Sequence, residues 1–156
     1  MACKLSVVGK RWDVKGFVDR TGAEPDETFE KGDIFDSFGT LYKVSGFTFT
    51  LGPNAFVPLK RQVRAAVTFL ELPRNQGWLR AASRERGTER RLEFGLARPS
   101  EPANTDYLPA RLAAAAGRYG FDLVVSHYPV GVEEPKRVRR GVIRRRLSAA
   151  GSRAAR

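Results

Sequence analysis

Cysteine and histidine are almost missing from this chain: Cys3 is the single thiol and His127 the single imidazole. No internal disulfide can form, and the simple expectation is a reducing, cytoplasmic compartment. Zinc needs more nitrogen and sulfur ligands than one cysteine and one histidine supply. Long apolar runs are missing too. No stretch of about 18 apolar residues is present to cross a bilayer, and MACKLSVVGKRWD holds too short an apolar run for a signal peptide. No membrane partner is therefore expected. Nor does the chain carry a Ser/His/Asp set, a phosphate-binding loop or a dinucleotide fingerprint. No catalytic residue, cofactor-binding residue or metal ligand is assigned, no cofactor is expected, and a non-enzyme is favoured over an enzyme. One pairing stays open: Cys3 and His127 fall in the first and last predicted strands, where neighbouring strands would make a Cys–His nucleophile pair.

What is present is enough for a core. Hydrophobic residues make up 42% of the 156 residues and charged residues 29%, the balance of a soluble globular domain. The net charge of +11 is unevenly spread. Residues 1–128 hold 19 Lys/Arg against 15 Asp/Glu, whereas residues 129–156 hold 9 against 2. This divides the chain into one domain over 1–129 and a basic tail over 130–156. The tail has too little large apolar content to offset its ordering entropy and is expected to be disordered. Its Lys136, Arg137, Arg139, Arg140, Arg144, Arg145 and Arg146 would hold phosphates without sequence preference and in a salt-sensitive way, which makes nucleic acid a candidate weak partner.

Periodicity places strands near 4–8, 41–51, 90–97 and 121–128. Phe47, Phe49 and Leu51 alternate with Thr48 and Thr50, and Leu92, Phe94 and Leu96 point one way. Asp13 caps a helix over Val14–Arg20, with Val14, Phe17 and Val18 on one face, and Gly22 ends it. A second helix runs from about Pro58 to Glu71 and stops at Pro73; a third runs from Asp106 or Tyr107 through Ala116. Residues 74–88 are polar, basic and poorly periodic, a loop from which Trp78 and Leu79 pack back. The class is α+β, a ferredoxin-like split β-α-β with a four-stranded, mainly antiparallel sheet and three helices. Val7, Phe17, Phe47, Phe49, Val63, Val67, Leu92, Phe94, Leu112, Leu123 and Val125 are the expected core. Phe47 and Phe49 also have the period of base-stacking aromatics in RNA-recognition folds, but Ser45 stands where a basic residue belongs and helices should cover that face.

The stretch TGAEPDETFEKGD holds five carboxylates, Glu24, Asp26, Glu27, Glu30 and Asp33. A calcium loop needs a spaced ligand series around a glycine, which this stretch lacks. Gly22 and Pro25 explain it as a connector. Glu24, Asp26, Glu27 and Glu30 remain candidates for an acidic docking surface, on which the basic tail could rest through weak, fluctuating contacts.

The residues also resemble a family. Gly9 with Asp13-Val14, Thr21-Gly22-x-x-Pro25, Lys31-Gly32-Asp33, Lys43-Val44-Ser45-Gly46-Phe47, then Tyr107-Leu108-Pro109-Ala110, Tyr119-Gly120 and Asp122-Leu123-Val124-Val125 are similar to the bacterial family catalogued as domain of unknown function 4279. The resemblance covers roughly residues 4–128, and departs from the pattern at Phe47, where that family favours Trp. It implies a stand-alone α+β domain and supplies no catalytic residue. The functional expectation is a non-enzymatic binding module, protein-binding and of immunity or regulatory type, with a partner of unknown identity. The alternatives are non-specific nucleic-acid binding through the tail and, behind it, a small-ligand-binding enzyme.

Overall fold

Strand β1 (Cys3–Gly9) carries the plainest signal in the chain: Cys3, Leu5, Val7 and Gly9 are buried, while the residues between them are only half-buried. That period of two is a strand with one covered face. The computed structural model of the chain describes residues 3–53, 56–98 and 106–129. After β1 come α1 (Val14–Thr21), β2 (Glu27–Phe29), β3 (Ser45–Leu51), α2 (Leu59–Glu71), α3 (Pro73–Arg84), β4 (Thr88–Arg98), α4 (Ala110–Gly117) and β5 (Asp122–Pro129).

The strands form one mixed sheet in the order β2-β3-β1-β4-β5. β1 lies antiparallel to β3 and to β4, β2 antiparallel to β3, and β4 parallel to β5. It follows that β1 and β2 run the same way with β3 between them, and β3 and β4 the same way with β1 between them. Two crossovers are thus interleaved, and α4 with β5 adds one parallel strand outside β4.

Two expectations on element count are corrected. The sheet has five strands among the described residues, because Glu27–Phe29, read as connector, pairs with β3 through Glu27↔Thr48, Thr28↔Phe47 and Phe29↔Gly46. Three residues with one apolar side chain give no period to detect; the hydrogen bonds of β3 make them a strand. There are four helices, because Pro73–Arg84, read as loop, is helical. Its buried face is only Asn75, Trp78, Leu79 and Ala82, a narrow stripe in an arginine-rich segment. Pro73 both ends α2 and suits the first turn of α3, where its missing N–H has no partner to lose. The Asn75 amide donates to the Phe69 carbonyl at 2.9 Å and clamps the corner.

Asp13 and Gly22 act as their positions dictate. The Asp13 carboxylate accepts from the Gly16 N–H at 2.9 Å, and Gly22, at φ 67°, closes α1 by donating to the Val18 carbonyl. The strand expected over 41–51 is β3 and begins at Ser45 instead of Leu41, and the last helix begins at Ala110 after Pro109.

The helices cover one face of the sheet. Between them lie Leu5, Val7, Phe17, Phe47, Phe49, Leu70, Trp78, Leu79, Leu92, Phe94 and Leu112, all buried. At the centre Phe47 contacts Trp12, Phe17, Phe49 and Trp78, with ring centroids 5.4–5.9 Å apart. Phe49 stacks on Trp78 at 5.0 Å. Such pairs add about 0.5–1.5 kcal/mol each beyond the area they bury. Of the expected core, Leu123 and Val125 are half-buried instead of buried, since β5 is an edge strand. Gln62 is a buried polar exception: its amide nitrogen donates to the Val57 and Gly95 carbonyls at 2.9 and 2.7 Å, pinning α2 to β4.

The other face of the sheet is mostly polar, with Phe29 packed over Gly46 beside Val8. Lys4, Ser6 and Val8 of β1 stand opposite Thr50, Thr48 and Gly46 of β3 and Glu93, Arg91 and Glu89 of β4. Phe47 and Phe49 point away from it, under the helices, so the aromatic period of β3 serves the core.

Candidate functional site: an apolar hairpin on an acidic base

Between β2 and β3 the chain makes an irregular hairpin over residues 30–44. Ile34 bridges Leu41, the Phe35 N–H donates to the Thr40 carbonyl at 2.6 Å, and Tyr42 and Gly32 both bond across the base. The turn is built by Asp36: its carboxylate accepts from the N–H groups of Phe38 and Thr40 at 2.9 and 3.1 Å. Those bonds, the one from the Thr40 backbone foremost, hold the Asp36 carboxyl below the usual carboxylate range. Gly39, at φ 80°, supplies the left-handed residue that lets the chain return.

At the base, Tyr42 stacks on Phe29 at 4.1 Å and meets the edge of Phe35 at 5.1 Å. Its hydroxyl lies 3.4 Å from Glu27. Partial burial, followed by the nearby Glu27 carboxylate, raises its pKa above the ordinary value. Phe29 in turn covers Gly46, so the hairpin is anchored on the sheet through two rings.

Its outer side chains face solvent. Phe38 is 92% exposed, Ile34 70%, Phe35 60% and Leu41 55%. Isolated exposed apolar residues are ordinary, but four large ones on one short hairpin, Ile34 directly across from Leu41, are a concentration of the kind found at interaction sites. Beside it a groove of about 360 Å³ runs between α1 and the hairpin base, lined by Val14, Val18, Phe29, Glu30 and Asp33 among others.

The predicted acidic set is divided by the fold. Asp26 accepts the Thr50 N–H at 2.5 Å and donates its own N–H to the Thr48 carbonyl, extending β2 along β3. Glu27 faces the Tyr42 and Thr48 hydroxyls. Glu24 and Glu30 are exposed. Together with Asp33 and Asp36 they put six carboxylates against one cation, Lys31, between residues 24 and 42. Among the described residues no group of three His, Cys, Asp or Glu side chains is placed to hold a metal ion. The hairpin patch itself was missed from sequence. Its one signal is Ile34-Phe35-Asp36-Ser37-Phe38-Gly39, apolar residues interleaved with turn formers.

Cys3 and His127 do not meet. β4 separates β1 from β5. The His127 Nε2 lies 2.8 Å from the Asp106 carboxylate. Cys3 is fully buried, and burial, with the Glu93 charge behind it, pushes its thiol up to about 12. A thiolate is therefore scarce at neutral pH. Native protein is expected to resist a disulfide-exchange reagent such as dithionitrobenzoate at pH 8, and to release one equivalent of chromophore in guanidinium; fast labelling of the folded protein would contradict the burial. The tail cations Lys136, Arg137, Arg139, Arg140, Arg144, Arg145 and Arg146 lie outside the described residues. No helix among the described residues is long and apolar enough to cross a membrane.

Comparison with protein-family models, with curated proteins and with solved structures found no match to this chain.

Proposed function

We propose that this protein is a non-enzymatic protein-binding module, of immunity or regulatory type, that docks through the hairpin of residues 30–44. The observation that carries the reading is the exposure of Ile34, Phe35, Phe38 and Leu41 on a hairpin whose turn is held by the Asp36 carboxylate. A preformed loop presenting aromatic anchors loses little entropy on binding. The partner is a protein with an apolar pocket for Phe38 and a basic rim, because Glu30, Asp33 and Asp36 on the same hairpin would attract Lys and Arg and repel an anionic lipid surface.

Two finer readings belong to the same proposal. The strand order β2-β3-β1-β4 with its interleaved crossovers is what a ferredoxin-like core requires, β5 being an addition to it. Kinship with domain of unknown function 4279 rests on the residue pattern given above. Non-specific nucleic-acid binding through the basic tail is the second reading, supported by 9 cations against 2 carboxylates over residues 129–156.

The test uses the full chain as bait in a lysate of its native host, followed by titration of the purified, identified partner. Phe38→Asp is expected to weaken binding by about a hundredfold, since hot-spot aromatics are worth about 2–4 kcal/mol. The thermal midpoint should stay unchanged, because the ring is 92% exposed. Equal binding by parent and variant would overturn the proposal. So would a concentration-dependent dimer that Phe38→Asp abolishes, which makes a second copy the occupant. Loss of binding only when the tail cations are replaced would favour the nucleic-acid reading.

A further inference from the structure

β1 ends at Gly9, and the chain passes through Lys10, Arg11 and Trp12 before Asp13 caps α1. Facing this loop, Arg86 and Gly87 turn α3 into β4. With Val8, Val44 and Glu89 the two loops enclose a cleft of about 500 Å³. Gly9 is essential to its shape: a Cβ there would lie 2.9 Å from that of Trp12 and 3.3 Å from the Gly87 carbonyl.

The cleft has an electrostatic imbalance. Lys10, Arg11 and Arg86 are all exposed, and none makes a hydrogen bond or ion pair among the described residues. The single carboxylate on its wall, Glu89, is engaged by Arg91 at 2.5 Å. Like charges gathered at a concave surface focus the field outward and raise the local concentration of anions.

Size and lining narrow the ligand. A cleft of about 500 Å³ is far larger than a phosphate ion and falls in the range of small organic ligands. Val8, Val44 and the half-buried Trp12 ring give it an apolar wall beside the cations. We propose that this cleft binds an organic phosphate of nucleotide size, with the phosphates held by Lys10, Arg11 and Arg86 and a flat apolar moiety against Val8, Val44 and Trp12. Arginine suits this task because its planar fork engages phosphate oxygens in pairs. Val44 is the one hairpin residue that lines the cleft, and Ile34, Phe35, Phe38 and Leu41 do not line it, so a nucleotide would be a second ligand on other residues.

The experiment is calorimetric titration of the full chain with AMP, ADP, ATP and inorganic phosphate at low salt. Saturable one-to-one binding of a nucleotide is expected, at least about tenfold tighter than inorganic phosphate and weakening as salt rises. Lys10→Gln with Arg86→Gln should weaken it by about tenfold or more, with an unchanged circular dichroism spectrum, because both side chains are exposed and unpaired. A full-length variant in which Lys136, Arg137, Arg139, Arg140, Arg144, Arg145 and Arg146 are all changed to glutamine should keep the site. The proposal is overturned if inorganic phosphate binds as tightly as the nucleotides, if the Lys10/Arg86 variant binds like the parent, or if the tail variant loses the binding. Phe38→Asp leaves nucleotide binding intact, so this proposal and the docking reading fail separately.

Discussion

Phe49→Ala is expected to lower the unfolding free energy by about 3–5 kcal/mol, read from urea denaturation with an unchanged slope. The ring is 8% exposed and sits among three others: it stacks on Trp78 at 5.0 Å, meets the edge of Phe47 at 5.7 Å and lies 5.1 Å from Phe69. Phe69 belongs to α2 and Trp78 to α3, so this one side chain joins both helices to β3. Removing it leaves a cavity that rigid neighbours on three elements cannot easily close. A loss below about 1 kcal/mol would mean that the ring faces solvent, and would restore the base-stacking interpretation of β3.

Gly46→Ala is expected to destabilise by about 1–3 kcal/mol despite adding only a methyl group. An added Cβ would lie 2.6 Å from the Val7 carbonyl oxygen, 2.7 Å from the Val8 Cγ1 and 2.8 Å from the Phe29 ring. The backbone carbonyl cannot move without disturbing the β1–β3 ladder, while the Phe29 ring can. Displacing Phe29 removes the partner on which Tyr42 stacks, so β2 and the hairpin base should loosen first. Hydrogen exchange is the sensitive measurement. Protection at Glu27–Phe29 and at Tyr42 should fall more than protection in β1 and β4. Adding Phe29→Leu should recover part of the stability and none of the hairpin order, since the two sites touch and their effects do not add. A Gly46→Ala protein as stable as the parent, with exchange unchanged at Glu27–Phe29, would refute the close packing of Phe29 on the sheet.

The two results bear on function in different ways. Phe49 holds the frame together, and its loss should weaken everything equally. Gly46 governs the seat of the hairpin, and its substitution should reduce partner binding at temperatures where the sheet is still folded. Phe38→Asp does the reverse, leaving the frame and its seat intact while removing the proposed anchor. Comparing the three separates a structural requirement from a contact requirement without knowledge of the partner's structure.

Local chemistry was legible wherever a short-range rule had enough residues to act on. Asp13 and Gly22 bracket α1 because a capping carboxylate and a left-handed glycine work within one helical turn. Phe47, Phe49 and Leu51, then Leu92, Phe94 and Leu96, declare a covered face by alternation alone. The stripe of Val63, Ala66, Val67 and Leu70 does the same for α2. Trp78 and Leu79 read correctly as side chains that return to the core, but the helix carrying them was hidden. Its arginines dilute the stripe, and it gains its stability from packing on α2 and α1, which the segment itself does not encode.

Amino-acid order alone was enough for an α+β chain with an aromatic core, helix caps at Asp13 and Gly22 and a basic excess concentrated toward one end. Which apolar residues stay outside was set by the folding of the whole chain. Phe47 and Phe35 are the same residue type twelve positions apart, yet Phe47 is fully buried and Phe35 is 60% exposed. It also decided that Glu27–Phe29 is a strand, and that Lys10 and Arg86, far apart in the chain, line one cleft. The reason is common to all three. Strand pairing, burial and the gathering of like charges depend on contacts between distant segments, and those free energies exist only once the sheet has set the order of its strands.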